Sequence, residues 1–162
     1  MNKANKKIRQ SLARNDENRL KSNHDHVIGI DEAGRGPLAG PVVAAACFIE
    51  ENCLLPGIMD SKITSEEMRE DVYDLLTTSP DVYWAVSIID NKVIDDINIL
   101  QSSLLAMKES CIDLIKKMNS SKFKNKKIIA LIDGNKIPLN MPVDSKYVIK
   151  GDSYVYSIAA AR

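Results

Sequence analysis

Apolar positions along the chain follow two different rhythms. Continuous apolar runs occupy 27–31, 42–49, 82–89 and 127–133, with a brief fifth at 147–149. They are rich in Val, Ile and aromatic residues and are bounded by Gly, Pro or acids, which predicts buried β-strands. Elsewhere the apolar residues are spaced by threes and fours. Ile97, Leu100, Leu104, Met107, Cys111, Leu114 and Met118 form one face of a long amphipathic helix, and Cys111 reads there as a small core residue. Thr64 or Ser65 can cap a second helix carrying Met68, Val72, Leu75 and Leu76, with Glu66 and Glu67 in its first turn where the helix dipole favours acids. Ser157 opens a third helical pattern that runs to Arg162. Strands interleaved with helices predict an α/β domain with a central mixed sheet flanked by helices, the last of them incomplete.

Composition narrows this picture only a little. With 162 residues, 44% hydrophobic and 27% charged, the chain suits one globular domain. No apolar run reaches the roughly 18 residues a membrane helix needs. The polar, basic first twenty residues are unlike a secretory signal. Three cysteines without a CxxC pair do not suggest a disulfide framework. The expectation is a soluble, cytoplasmic monomer with no membrane partner.

Charge balances overall, 22 basic against 22 acidic residues, but it is unevenly spread. Residues 1–23 hold seven Lys/Arg against Asp16 and Glu17. Residues 1–24 are therefore expected to be a basic, solvated, frayed tail preceding a domain at 25–162, with phosphate binding by counterion release as the alternative. His24 and His26 lack a third ligand at metal-site spacing. Lys116, Lys117, Lys122, Lys124, Lys126 and Lys127 form a second basic cluster in a loop after the long helix. Its first two members complement the helix dipole, and the others are open to a phosphate.

Two of the apolar runs end in acids, Ile30-Asp31-Glu32 and Leu131-Ile132-Asp133, and each is followed by a glycine-bearing turn. Carboxylates converging at strand ends suit hard divalent cations. The chemistry such a site supports is phosphodiester hydrolysis with two metal ions about 4 Å apart. The turn 34–41 (Gly-Arg-Gly-Pro-Leu-Ala-Gly-Pro) is neither a Walker loop nor a dinucleotide fingerprint. Its glycines let the backbone approach a phosphate, and Arg35 can grip one bidentately.

The stretch Gly29-Ile30-Asp31-Glu32-Ala33-Gly34-Arg35-Gly36-Pro37-Leu38-Ala39-Gly40-Pro41-Val42-Val43-Ala44-Ala45-Ala46 closely resembles the opening motif of bacterial-type ribonuclease HII. Asp60-Ser61-Lys62, Ile97-Asn98-Ile99-Leu100-Gln101, Asp133-Gly134-Asn135, Lys150-Gly151-Asp152-Ser153 and Ser157-Ile158-Ala159-Ala160-Ala161 follow in family order. The resemblance spans residues 27–162 and implies an RNase H-like fold. It implies an endonuclease that cleaves the RNA strand of RNA–DNA hybrids, including single ribonucleotides in DNA, with Mg²⁺ or Mn²⁺, leaving a 3′-hydroxyl and a 5′-phosphate. Such an activity serves RNA primer removal and ribonucleotide excision. By position Asp31, Glu32 and Asp133 match catalytic metal-binding acids, and Gly34, Arg35 and Gly36 match the loop that reads the RNA-to-DNA junction. Lys62 and Asn98 match positions near the substrate backbone. Two departures stand out. Tyr154 replaces a usual lysine, and the fourth metal-binding acid is expected one to three helical turns beyond Arg162, with Asp152 not counted as a ligand. The chain therefore reads as C-terminally truncated, and the alternative function is an inactive hybrid-binding fragment.

Overall fold

The computed structural model of the protein describes residues 3–36, 40–59, 66–118 and 122–162. Strands β1 (His26–Ala33), β2 (Val42–Ile49), β3 (Val82–Ile89), β4 (Ile128–Asp133) and β5 (Asp144–Val148) form one mixed sheet in the order β3-β2-β1-β4-β5. β1 pairs antiparallel with β2, placing Gly29 opposite Cys47, and β2 pairs antiparallel with β3. β4 runs parallel to β1, with Ile30 opposite Ile132, and β5 runs parallel to β4. The expected α/β architecture is thus present. β5 starts three residues earlier than its apolar run, because Asp144 and Lys146 are exposed on this edge strand and carry no hydrophobic signal.

Side-chain alternation sorts the sheet into two apolar faces. Ile28, Ile30, Ala44, Ala46, Phe48, Ala130 and Ile132 pack on helix α3 (Asn91–Lys117) through Ala106, Met107, Cys111, Leu114 and the following Met118. Cys111 is fully buried there, as the helical stripe predicts. Val27, Ile129, Leu131 and Val148 face the other way, against Val155, the N-cap of helix α4 (Tyr156–Ala161), and Ile158 within it. α3 begins earlier than the apolar stripe, where the Asp90 side chain accepts a hydrogen bond from Val93 N. It breaks at Asn98 (φ 68°, ψ 162°), and Ile97 is left 37% exposed although the stripe put it on the core face.

Gly29 sets how closely α4 lies on the sheet. A Cβ built there would fall 2.1 Å from the Ser157 carbonyl carbon and 2.3 Å from Ile158 N. Backbone therefore packs on backbone, which no other residue type permits.

The N-terminal segment departs from expectation. In place of a frayed tail, Lys3–Lys21 is a helix, α1, and it buries Gln10, Ala13, Arg14 and Glu17. This buried face is mostly polar, so hydrophobic periodicity does not register it. Arg14 donates to Glu17 Oε1 (2.7 Å) and to the carbonyls of Glu50 (3.1 Å) and Cys53 (3.0 Å), while Gln10 donates to the Leu55 carbonyl (2.6 Å). The two histidines are structural. His24 lies 2.9 Å from both the Lys21 carbonyl and an Asp144 carboxylate oxygen, and His26 packs edge-on against Phe48 and Phe123.

The second lysine cluster is largely engaged with protein groups. Lys116 pairs with Asp113, Lys122 with Glu50 and Lys126 with Asp25, while Lys117 donates to the Trp84 carbonyl. Helix α2 (Glu66–Thr78) carries Glu66 and Glu67 in its first turn as expected, and the caps proposed at Thr64 and Ser65 lie outside the described residues, as does the Met68 side chain. No helix among the described residues is long and apolar enough to cross a membrane.

A Gly29→Ala substitution must push α4 off the sheet, because the clash is with backbone that cannot rotate away. We expect a loss of at least about 3 kcal/mol, the upper end for overpacking, read as a lowered urea midpoint. An unchanged midpoint would show that α4 is not seated on β1.

Candidate active site

The parallel pairing of β1 with β4 decides where the acids go. Ile30 stands opposite Ile132, so Asp31 and Asp133, one residue further along, leave the pair side by side at the carboxyl ends of neighbouring strands. Alternation sends both toward the face covered by α4. Asp31 is only 5% exposed, and its Oδ1 accepts a hydrogen bond from Glu32 N at 2.7 Å. Asp133 Oδ1 accepts one from Gly151 N at 2.6 Å. That bond ties the single 3₁₀ turn Gly151–Ser153 to the end of β4.

The turn carries Asp152, which the resemblance does not count among the metal-binding acids. In the structure Asp152 comes near enough to act on the charge of Asp31, together with Asp133 and Glu32. The reason is topological. β5 runs parallel to β4, so the segment after β5 emerges at the same end of the sheet as Asp31 and Asp133. Asp152 also pairs with Arg162 (3.1 Å) and accepts a hydrogen bond from Ser153 Oγ (3.3 Å). Burial, above all, and then the neighbouring carboxylates push the Asp31 carboxyl up to about 7, against the opposing hydrogen bond from Glu32 N.

Glu32 behaves differently. Alternation sends it toward the α3 face, where Oε1 pairs with Arg35 Nη1 at 2.9 Å and Oε2 is buried with no hydrogen-bond partner among the described residues. Asp31, Glu32 and Asp133 are therefore not drawn into one tight cluster. Among the described residues no three His, Cys, Asp or Glu side chains stand close enough to share an ion. The donor set nevertheless fits a hard divalent cation. It is all carboxylate oxygen, one buried oxygen is orphaned, and one buried carboxyl is crowded by like charges, conditions that a cation relieves.

The glycine loop begins beside these acids. Gly34 takes φ +95° and lies so close to the Pro41 carbonyl that a Cβ would meet its oxygen at 2.5 Å, whereas a Cβ on Gly36 would meet nothing within 4 Å among the described residues. The Arg35 side chain is 47% exposed. Asn98 is exposed at the break in α3, in a backbone region that few residues other than glycine adopt, and its Oδ1 accepts from Leu100 N (3.0 Å) and Gln101 N (3.1 Å). Lys62, the other expected substrate contact, lies outside the described residues. An apolar cavity of about 420 Å³ lies between α2, β3 and the end of α4, lined by Val72, Leu76, Trp84 and Ala160, and also by Ala45, the strand partner of Asp31, and Arg162, which pairs with Asp152.

Residues 28–162 match the family model described as Ribonuclease HII. The chain belongs to the ribonuclease HII family. A curated ribonuclease HII from Caldicellulosiruptor saccharolyticus is 41% identical over 147 residues, covering 90% of this chain and 66% of the relative. One from Citrifermentans bemidjiense is 43% identical over 143 residues, covering 88% and 57%. The chain thus spans 57–66% of the length of these relatives. Among solved structures, ribonuclease H2 from Pyrococcus horikoshii OT3 superposes with a TM-score of 0.64 at 23% identity, covering 84% of this chain and 68% of that one. A Bst-RNase HIII solved in complex with Mn²⁺ gives 0.64 at 21% identity, covering 94% and 52%. These likenesses give the chain an RNase H-like fold, and all of the acids discussed fall inside the matched region.

The raised Asp31 carboxyl makes a testable link to stability. The folded chain keeps this proton up to a pH of about 7, whereas an unfolded carboxyl releases it near 3.8. Folding therefore loses stability as pH climbs from about 4 to 7, and the loss persists above that. With chelator present, Asp31→Asn should stabilise the chain by on the order of 3 kcal/mol at pH 8 and by little at pH 3.5, read from thermal melts. An equal effect at both pH values would contradict the burial argument.

Proposed function

We propose that this ribonuclease HII family chain is an endoribonuclease acting on the RNA strand of RNA–DNA hybrids, including single ribonucleotides in DNA, as a monomer. The observation that carries the reading is that Asp31 and Asp133 leave neighbouring parallel strands at one end of the sheet, with the turn bearing Asp152 tied to Asp133 by Gly151 N and the Gly34-Arg35-Gly36 loop starting beside them. Asp31, Glu32, Asp133 and Asp152 would hold Mg²⁺ or Mn²⁺, and a structurally similar ribonuclease HIII was solved with Mn²⁺. When bound, such ions supply activation of a water and neutralisation of charge on the leaving oxygen, giving 5′-phosphate and 3′-hydroxyl ends.

The remaining tasks fall to the chain itself. Gly36, with nothing among the described residues within 4 Å of a would-be Cβ, lets the backbone reach a ribose 2′-hydroxyl, the group that distinguishes RNA from DNA. Arg35 is exposed enough to exchange Glu32 for a substrate phosphate, and in doing so frees the Glu32 carboxylate for a cation. Asn98 commits its side-chain carbonyl to α3, which leaves its NH₂ group for the strand. Lys62 is proposed as a phosphate contact. Primer removal and ribonucleotide excision are the processes such cleavage serves.

A second reading is a hybrid-binding chain without turnover. One observation favours it: no three-carboxylate cluster stands among the described residues. The proposal of Asp152 as a metal-binding acid speaks against it.

The deciding experiment is cleavage of a DNA duplex carrying one ribonucleotide, with Mn²⁺ or Mg²⁺. We expect a 5′-phosphate product and a fall of at least about 100-fold in kcat for Asp152→Asn, the scale of losing a group that stabilises transition-state charge. Binding of the duplex by the unaltered chain with no cleavage would establish the second reading. Cleavage indifferent to Asp152→Asn would remove that residue from the site.

A further inference from the structure

We infer that Glu17 of α1 is a positioning residue that holds the Asp152 segment in place by capping α4 from outside; this rests on the reading of Asp152 as a metal-binding acid. The first amides of a helix have no partners within it and need acceptors. The residue at the α4 N-cap is Val155, whose side chain makes no capping bond although its backbone (φ −108°, ψ 122°) is the extended form suited to a cap. The missing acceptor comes from 140 residues away. Glu17 Oε2 accepts a hydrogen bond from Ser157 N at 2.6 Å in a buried setting.

Glu17 is itself held. It is 3% exposed, and its other oxygen pairs with Arg14 at 2.7 Å. The Arg14 guanidinium lies 4.4 Å from the centre of the Tyr156 ring, and the Tyr156 hydroxyl accepts from Leu55 N at 2.6 Å. The first two residues of α4 are thus clamped by α1 through a carboxylate and a cation.

The clamp reaches the acids through close packing. Val155 N donates to the Gly151 carbonyl at 2.7 Å, joining the start of α4 to the turn that carries Asp152. A Cβ on Gly151 would lie 2.5 Å from Ile158 Cδ1, so that turn is seated directly on α4. Gly151 N in turn donates to Asp133. Glu17 therefore connects to two of the acids through one short helix, while lying outside the region matched by the family model.

Mn²⁺ binding measured by calorimetry tests this, with melting curves on the same samples. The unaltered chain and Asp152→Asn come first. If the former binds no Mn²⁺, or the latter binds as well as the unaltered chain, the reading of Asp152 fails. Given that pair, Glu17→Ala should weaken Mn²⁺ binding roughly tenfold at a temperature where it remains folded, the scale seen when groups supporting metal ligands are lost. Adding Val155→Thr, which supplies a local hydroxyl cap, should recover most of that loss. Should Glu17→Ala not fold, Glu17→Gln must show a smaller weakening of the same kind. Lower melting temperature with unchanged Mn²⁺ affinity in both Glu17 variants would overturn the inference and leave Glu17 a stabilising residue only.

Discussion

Backbone contact between α4 and β1 at Gly29 is the constraint on which the acidic end of the sheet depends. A residue with any side chain would hold the helix away, and the turn before α4 would then no longer reach Asp133. Because α4 is short and lacks a cap of its own, that contact alone does not define its angle. α1 supplies what is missing by closing over Tyr156 and Ser157 with Arg14 and Glu17. The site is thus assembled from three separate parts of the chain: a parallel strand pair, a turn after the edge strand, and a helix at the far N-terminus.

The strands and the long helix were legible because their burial is apolar and periodic. The runs at 42–49 and 82–89 match β2 and β3 residue for residue. What escaped was polar burial. α1 turns Gln10, Arg14 and Glu17 inward, and a pattern scored on hydrophobicity reads such residues as solvent-facing. The break at Asn98 escaped as well, since an uninterrupted apolar stripe gives no hint that one residue takes a positive φ.

For the site, Asp31 and Asp133 were readable as strand-end acids, and the glycine loop was readable from its spacing. The place of Asp152 at the same end of the sheet was not, because it follows from the direction of β5, and a five-residue edge strand with exposed polar residues says little about direction. Reading that strand as parallel to β4 is the one step that would have found it. Glu32 and Arg35 show a different limit. Their pairing is a local contact three residues apart, and it engages a carboxylate that the strand-end pattern assigned to a metal.

The central claim is that the carboxyl ends of β1 and β4 and the turn bearing Asp152 form one cation site. Substoichiometric Mn²⁺ added to ¹⁵N-labelled protein tests it most directly, because paramagnetic broadening reports where the ion sits without requiring turnover. The account predicts that the amide signals of Glu32, Gly134 and Gly151 broaden first, with those of His24 and of the acids in α2 unaffected. Broadening that begins at His24 and Asp25, or that spreads evenly over surface carboxylates, would contradict it.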